Sequence, residues 1–348
     1  MKDILPDLTT WLANGESLAL ATVIQTWGSS PRGVGAKMGI TAEGKMTGSV
    51  SGGCVEGAVI EVGMDVIRTR KPQLLHFGVA DETAWEVGLA CGGTIDVFVQ
   101  PLDVELFEQM RAAIEGERPA ASVTVIRGPE EVLGDGLVWV DGQDSPKVFN
   151  DELVEGAIAA ARFALTNAQS HRFTLPGGQV EVFAEVILPA PVLVIVGGVH
   201  ISIALAKMAK LLGYRTVIVD PRRAFGSPER FSHADQLVQI WPDEALASLD
   251  LARTSAVAVL THDPKLDDPA LMVALPSPAF YVGALGSRKT QAKRRARLLE
   301  AGLTEEQLDR LHGPIGLAIG AKTPEEIALS IMGEIVAAKY KNETANGE

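Results

Sequence analysis

Both cysteines of this 348-residue chain lie beside a pair of glycines. Cys54 follows one pair in GSVSGGCVE and Cys91 precedes the other in GLACGGTID; the glycines are Gly52, Gly53, Gly92 and Gly93. Glycine lets a ligand approach the backbone closely because it has no Cβ, and a cysteine thiolate can act as a nucleophile or bind a metal. The two motifs therefore favour contact with an anionic ligand that bears or accepts sulfur.

The residues after Cys54 predict a helix that begins at the first motif. Valines at positions 55, 59, 62 and 66 recur at helical spacing, and Ser51 is predicted as the N-cap. This assignment places Gly52, Gly53 and Cys54 in the first turn, where backbone N–H groups lack partners and the helix dipole favours an anion or a thiolate. From this motif alone, a tight turn with Cys54 as a small core residue is an equal alternative.

Two further observations favour a functional site over a tight turn. Cys91 would meet Cys54 if both turns lay at one edge of a sheet, and the segment WGSSPRGVGAK adds Ser30 and Arg32. Hydroxyl and guanidinium groups bind phosphate and other oxyanions, although Ser-Ser-Pro is also an ordinary turn. We therefore predict one ligand site made of Ser30, Arg32, Gly52, Gly53, Cys54, Cys91, Gly92 and Gly93.

A second region has the layout of a dinucleotide-binding turn. The apolar run VLVIV meets Gly197 and Gly198 before a predicted helix, and the next strand ends in Asp220, 23 residues after Gly197. The G-x-G-x-x-G fingerprint needs its second glycine for the pyrophosphate and its third for close packing of helix on strand. Val199 and Ser202 stand at those positions, so we predict that NAD(P) is not the cofactor.

Other polar residues follow the strands of this C-terminal region. Asp220 and Arg222 stand where a ribose or phosphate would be bound, and surface ion pairing is the alternative for them. His200 lies at the predicted helix start, where an imidazole could touch a ligand or serve only the structure. A second predicted anion pocket lies between a strand and a helix and consists of Gly286, Ser287 and Arg288.

The pattern of strands and helices divides the chain into two α/β domains. Residues 1–188 predict a mixed α/β domain with an N-terminal amphipathic helix, a hairpin and several further strands. The prolines in LPAPVLVIVGG mark a boundary, after which residues 189–348 alternate strands with helices. Such alternation is typical of a doubly wound parallel sheet, so the second domain is predicted to be Rossmann-like.

Composition disfavours several classes of function. The net charge of −13 gives no support to a nucleic-acid partner. The first residues are acidic where a signal peptide is basic, and no stretch has the apolar length of a membrane span, so we predict a cytoplasmic protein without membrane attachment. Two cysteines 37 positions apart form neither a disulfide framework nor a zinc site.

The motifs together resemble the xanthine dehydrogenase accessory factor family, XdhC/CoxI. In the N-terminal part the resemblance is carried by ATVIQTWGSSPRGVGAKM, GSVSGGCVE and GLACGGTIDVFVQP, and in the C-terminal part by VDPRRAFGSPERF, THDPKLDDPAL, YVGALGSRKT and GPIGLAIGAKTPEEIALSIMGEI. The family usually has Gly-Ala-Gly-His-Val-Gly where this chain has residues 197–202, and often a histidine where it has Pro264. These departures weaken a nucleotide or metal role of the second domain and leave the Cys54 motif intact.

The resemblance implies a maturation factor for molybdenum hydroxylases. Such proteins bind the molybdenum cofactor (molybdopterin), assist its sulfuration with a cysteine desulfurase, and deliver it to an apo hydroxylase of the xanthine dehydrogenase type. Cys54 would contact the molybdenum or the transferred sulfur, Glu56 of the same motif would join the cofactor site, and no other metal is expected. The protein would act as a chaperone without turnover of its own, and a homodimer is a possible assembly.

Two other functions remain open from the sequence. An NAD(P)-dependent oxidoreductase would use the Rossmann-like domain and would need bound nucleotide. A thiol redox protein would use Cys54 and Cys91, and would need their Cα atoms within about 7 Å of each other.

Overall fold

The computed structural model describes residues 1–28, 30, 32–78, 93–140 and 151–344. The chain divides into two compact units, Met1–Pro189 and Ala190–Glu348. The predicted fold class is confirmed, because a mixed α/β unit is followed by a unit built on a parallel sheet. Among the described residues, no helix is long and apolar enough to cross a membrane.

The first unit begins with an antiparallel sheet and two helices. Its elements are α1 (Leu5–Ala13), β1 (Leu18–Trp27), β2 (Lys37–Thr41), β3 (Met46–Gly48), α2 (Glu56–Thr69), β4 (Gln73–Phe77) and β5 (Thr94–Pro101). The strands lie in the order β3-β2-β1-β5-β4. Val59 and Val66 of α2 are fully buried against this sheet, which is why the valine spacing predicted the helix.

The register of this sheet brings several loops to one edge. Trp27 at the end of β1 pairs with Thr94 at the start of β5, and Lys37 at the start of β2 pairs with Thr22. Because β3 runs antiparallel to β2, the chain leaves β3 at the same edge. The loop that carries Cys54 therefore begins at the edge where β5 begins.

A second antiparallel sheet completes the first unit. Its elements are α3 (Val104–Glu115), β6 (Ala120–Arg127), β7 (Gly136–Val140), α4 (Asp151–Asn167), β8 (His171–Thr174) and β9 (Glu181–Ile187), with strand order β7-β6-β9-β8. Two ion pairs join the sheets: Lys37 Nζ lies 2.8 Å from Glu185 Oε2, and Arg172 Nη1 lies 2.8 Å from Asp96 Oδ2. The Lys37–Glu185 pair is almost fully buried, so losing one partner would leave an unpaired charge in the interior.

The second unit is a doubly wound parallel sheet. Its elements are β10 (Val192–Val196), α5 (His200–Leu211), β11 (Arg215–Val219), β12 (Gln236–Val238), α6 (Pro242–Ser248), β13 (Ser255–Val259), α7 (Pro264–Ala274), β14 (Tyr281–Ala284), α8 (Arg288–Glu300), α9 (Glu305–Asp309), β15 (Leu311–His312) and α10 (Pro324–Thr344). The strand order is β12-β11-β10-β13-β14-β15, and all the pairings are parallel.

The central strand β10 is buried on both faces. Leu193 and Ile195 pack in one core with residues of α5 and α10, whereas Val194 and Val196 pack in the other core with residues of α7 and α8. Continuous apolar strands are typical of parallel sheets covered by helices on both sides. The carboxyl ends of these strands share one edge, which is where ligands bind in such folds.

Candidate functional site

The loop that carries Cys54 is not the first turn of a helix. Helix α2 begins at Glu56 with Val55 as its N-cap, so the prediction that Ser51 caps the helix is wrong. Gly52 and Gly53 have φ angles of +78° and +119°, in the region that favours glycine. Because these two residues adopt left-handed conformations, the chain turns between Ser51 and Cys54 and the helix starts only afterwards.

The carboxylate of Glu56 accepts the backbone N–H groups of this loop. Glu56 Oε1 accepts hydrogen bonds from the amides of Val50, Ser51 and Gly52 at 3.2, 2.9 and 3.1 Å, and Oε2 accepts one from Gly53 at 2.8 Å. We predicted from the sequence that the Gly52 and Gly53 amides are free to bind an external anion. In the structure they donate to the carboxylate of Glu56 instead.

Two serines extend the contacts of Glu56 towards Cys54. Ser49 Oγ donates to Glu56 Oε1 at 2.6 Å, and Ser51 Oγ donates to Glu56 Oε2. Ser51 Oγ also accepts the backbone N–H groups of Cys54 and Val55, each at 3.0 Å. Glu56 thus fixes Ser51, and Ser51 fixes the backbone of Cys54.

These hydrogen bonds explain the ionisation of Glu56. Burial alone disfavours the charged carboxylate, but the hydroxyls of Ser49 and Ser51 and the loop amides outweigh it and lower the pKa of Glu56 to about 2. Glu56 is therefore ionised at neutral pH although it is only 7% exposed.

Cys54 is a free, exposed cysteine, so the alternative of a small core residue is wrong. The backbone next to it is also open, because a Cβ placed on Gly53 would meet no heavy atom within 4 Å. A thiol on an open glycine loop is accessible to a ligand.

The predicted residues Ser30 and Arg32 lie beside this loop. Arg32 Nε donates to the Ser49 carbonyl oxygen at 3.2 Å, and Ser30 Oγ donates to the Arg32 carbonyl oxygen at 2.7 Å. Arg32 Nη2 also lies 3.5 Å from Asp3 Oδ2. The Arg32 guanidinium therefore contacts the start of the Cys54 loop at Ser49.

Of the second cysteine motif, Gly93 is among the described residues. Gly93 is buried directly before β5, at the sheet edge from which the Cys54 loop also begins. Cys91 and Gly92 lie outside the described residues, so their predicted place in the site stays a prediction.

In the dinucleotide-like turn of the second unit, the side chains of Asp220 and Ser202 form hydrogen bonds with the backbone of the two glycines. The Gly198 N–H donates to Asp220 Oδ2 at 2.7 Å, and the Ser202 hydroxyl donates to the Gly197 carbonyl oxygen at 2.5 Å. Val199 is the N-cap of α5 and offers no side-chain hydrogen bond. The Gly198 amide and the Gly197 carbonyl oxygen are therefore bonded within the protein.

Asp220 has no oxygen left for a ribose. It is fully buried, and the Arg222 guanidinium contacts it through Nε at 2.9 Å and Nη2 at 2.8 Å. Burial opposes the charge of Asp220, but Arg222 and the Gly198 amide lower its pKa from the ordinary value. Asp220 and Arg222 thus form an ion pair, as in the alternative, but Asp220 is buried and does not lie at the surface.

A loop segment after β11 also packs directly on the turn. A Cβ placed on Gly198 would lie 2.5 Å from the Phe225 carbonyl oxygen, and the Arg222 guanidinium lies 4.1 Å from the centre of the Phe225 ring. From the sequence we expected the Val199 side chain to crowd the place of the pyrophosphate. The backbone of Phe225 leaves still less room at the turn.

We expect NAD and NADP to bind the protein only weakly, with dissociation constants above about 1 mM. Asp220 is saturated by Gly198 and Arg222, so binding a ribose would require separating this carboxylate from its Arg222 partner. Titration calorimetry measures this directly. Micromolar binding of either dinucleotide would contradict the expectation and would show that the segment around Phe225 moves aside.

The other predicted C-terminal residues lie at the carboxyl edge of the parallel sheet. His200 is exposed at the start of α5, and Arg288 is exposed at the start of α8. Ser287 is the N-cap of α8 and accepts the Thr290 N–H at 3.2 Å, directly after Gly286 with φ +138°. Its hydroxyl therefore serves the helix, and a role in anion binding stays a prediction. No cluster of three metal-binding side chains occurs in the described parts of the chain.

Comparison with known proteins matches both units to one family. Residues 11–78 match the family model "XdhC and CoxI family", and residues 193–335 match "XdhC Rossmann domain". The chain is 27% identical over 342 residues to a probable xanthine dehydrogenase subunit of Bacillus subtilis, covering 96% of this chain and 97% of that protein. It is 24% identical over 333 residues to the molybdenum cofactor insertion chaperone PaoD of Escherichia coli, covering 95% of this chain and 86% of that one.

A solved structure shares the fold over the whole chain. The crystal structure of a xanthine dehydrogenase from Bacillus halodurans superposes with a TM-score of 0.74 at 24% identity, covering 97% of this chain and 96% of that one. At this identity the likeness shows the fold alone.

Proposed function

Because the chain belongs to the XdhC and CoxI family, we propose that it binds the molybdenum cofactor and delivers it to a xanthine dehydrogenase-type molybdenum hydroxylase. The name of the PaoD relative, an insertion chaperone, supports this role. The protein acts as a carrier and has no catalytic turnover of its own.

The observation that carries the proposal is the exposed Cys54 on a loop that Glu56 holds by hydrogen bonds and that Arg32 contacts at Ser49. The cofactor is a pterin with a dithiolene, a phosphate and an oxo-metal centre, so it is anionic and rich in sulfur. A thiolate is a soft ligand that suits such a centre, and a guanidinium suits its negative charge. The residues present therefore fit this ligand.

The amides of residues 50–53 are not available to the cofactor, since Glu56 accepts all four of them. Among the described residues, the Cys54 thiol is exposed, and the Arg32 guanidinium, which uses Nε on Ser49 and has Nη2 near Asp3, keeps further N–H donors for a ligand. We therefore propose that the loop holds the metal and sulfur end of the cofactor, and that the phosphate binds away from the amides.

The proposed role implies protein partners. Sulfuration requires a sulfur donor, for which we propose a cysteine desulfurase, and delivery requires an apo hydroxylase. We propose that both steps take place in the cytoplasm and that the protein assembles as a homodimer.

The proposed function is tested by measuring transfer of the cofactor from this protein to an apo hydroxylase. The protein is loaded with cofactor under anaerobic conditions, mixed with an apo hydroxylase of the xanthine dehydrogenase type, and assayed for recovered hydroxylase activity. We expect more activity than from the same amount of free cofactor. Equal activity with and without the protein would contradict delivery.

Replacing Arg32 with methionine should weaken cofactor binding about tenfold, which corresponds to about 1.4 kcal/mol. Methionine keeps much of the apolar stem but removes the charge that faces the anionic ligand. The cofactor content after gel filtration measures the loss. Arg68→Met, on the exposed last turn of α2, is the matched control and should retain wild-type loading; an equal loss in both variants would indicate a non-specific charge effect.

A further inference from the structure

We infer that Glu56 is a positioning residue, which holds Cys54 in its binding geometry through Ser51 and does not itself touch the ligand. The inference rests on the proposed function, because it concerns how the Cys54 loop receives the cofactor. It assigns to Glu56 a different role from the cofactor contact that the sequence motif implied.

The carboxylate of Glu56 has no capacity left for a ligand. Four donors point at Oε1, namely the Ser49 hydroxyl and the amides of Val50, Ser51 and Gly52. Two more point at Oε2, namely the Ser51 hydroxyl and the Gly53 amide. A carboxylate offers about four lone-pair sites, so these donors saturate it.

The Ser51 hydroxyl links Glu56 to Cys54, and its hydrogen-bonding capacity is also fully used. Ser51 is fully buried, and its Oγ donates its one proton to Glu56 while accepting the amides of Cys54 and Val55. A serine hydroxyl has one donor and two acceptor positions. The direction of the Ser51 hydroxyl, and with it the position of the Cys54 backbone, is therefore set by Glu56.

Neither of the nearest side chains can replace Glu56. Glutamine keeps the length, but its NH₂ group would face the donors on one side of the carboxylate, the Gly53 amide among them. Aspartate is shorter by one methylene, so its carboxylate would be drawn back from the donors that now reach Oε1 and Oε2. The loop thus requires an acceptor-only group of this length.

The experiment compares Glu56→Gln and Ser51→Ala with Val66→Ala in the full chain. Val66 is fully buried in the last part of α2, away from the loop, so its truncation lowers stability without changing a loop contact. All proteins are studied at a temperature at which circular dichroism shows each of them folded. The measurements are hydrogen exchange of the amides of residues 50–53 and the dissociation constant for the isolated molybdenum cofactor.

We expect Glu56→Gln to speed exchange of the amide that faces the NH₂ group by about tenfold or more, because it loses its acceptor, and to speed exchange of the other amides less, because they keep only a neutral amide oxygen. We expect it to weaken cofactor binding by at least about tenfold. Ser51→Ala should weaken binding about threefold or more, since it removes only the link to Cys54. Val66→Ala should change neither quantity.

The outcomes separate this inference from the proposed function. Faster exchange in Glu56→Gln with wild-type cofactor affinity would overturn the inference alone, because the role of Glu56 would then be structural only. Equal weakening in Glu56→Gln and Val66→Ala would also overturn it, because stability would explain the loss. A wild-type protein that binds no cofactor would overturn the proposed function and this inference with it.

Discussion

Replacing Cys54 with alanine should abolish cofactor binding and leave the fold intact. Because Cys54 is exposed, the free energy of unfolding should change by no more than about 0.5 kcal/mol. Loss of the sulfur should weaken cofactor binding by roughly 100-fold or more, or about 2.7 kcal/mol. Thermal unfolding and cofactor content after gel filtration measure the two effects in the same samples.

Two variants control this experiment. Cys54→Ser keeps the size and polarity of the side chain but replaces the soft sulfur with a hard oxygen, so it should fail as alanine does. Cys91→Ala removes the other thiol and should have a smaller effect, because the contacts from Glu56, Ser51 and Arg32 converge on the Cys54 loop. Full cofactor loading of Cys54→Ala would contradict the proposed role of Cys54 and would show that the Gly-Gly-Cys motif serves only as a turn.

Replacing Glu56 with glutamine should lower the free energy of unfolding at neutral pH by on the order of 3 kcal/mol. The pKa of Glu56 falls from an ordinary value of 4.5 to about 2 in the folded protein, and each unit of such a difference is worth about 1.4 kcal/mol. Because the folded pKa is depressed, the contribution is fully present above the unfolded pKa and is lost as the pH falls through the folded one. The difference between wild type and variant should therefore be constant from about pH 6 to 8 and shrink between about pH 4.5 and 2.

Urea unfolding across this pH range measures the prediction. Glu61→Gln is the matched control, since Glu61 carries the same charge on an exposed position of the same helix. The stability difference for Glu61→Gln should be small throughout. A Glu56→Gln difference that stays constant down to about pH 2.5 would show that the loop does not depend on the ionised carboxylate.

The sheets of this protein are readable from the sequence because their strands are long apolar runs. The run VLVIV corresponds to β10, Val192–Val196, and its alternation with helices predicted the parallel sheet. The strands that the sequence did not predict are short or half-exposed ones, such as β12, Gln236–Val238, and β15, Leu311–His312. They are held by pairing with a neighbouring strand, which leaves little trace in local composition.

The Cys54 loop could be located from the sequence but its structure could not. Capping rules expect a serine to bond the amides two or three positions on, and Ser51 does accept the Cys54 amide. However, the Glu56 carboxylate reaches back as far as six positions and accepts the amides of Val50 through Gly53. This competition between side chain and helix has no fixed sequence spacing, so only the folded structure reveals it.

The same limit applies to the dinucleotide-like turn. The sequence identified Asp220 at the end of a strand and the missing glycine at Val199. It did not reveal that Arg222 folds back onto Asp220 or that Phe225 packs on Gly198. Both contacts depend on the path of a loop after β11.

The most direct test of the central claim is native mass spectrometry of the wild-type protein and Cys54→Ala, each purified anaerobically from a host that makes the molybdenum cofactor. Metal analysis of the same samples gives the molybdenum content. We predict that the wild-type protein carries the added mass of one molybdopterin with molybdenum per chain, and that Cys54→Ala carries neither. A wild-type protein found only at its apo mass, while other molybdenum enzymes of the same cells are loaded, would contradict the proposal that this chain is a cofactor carrier.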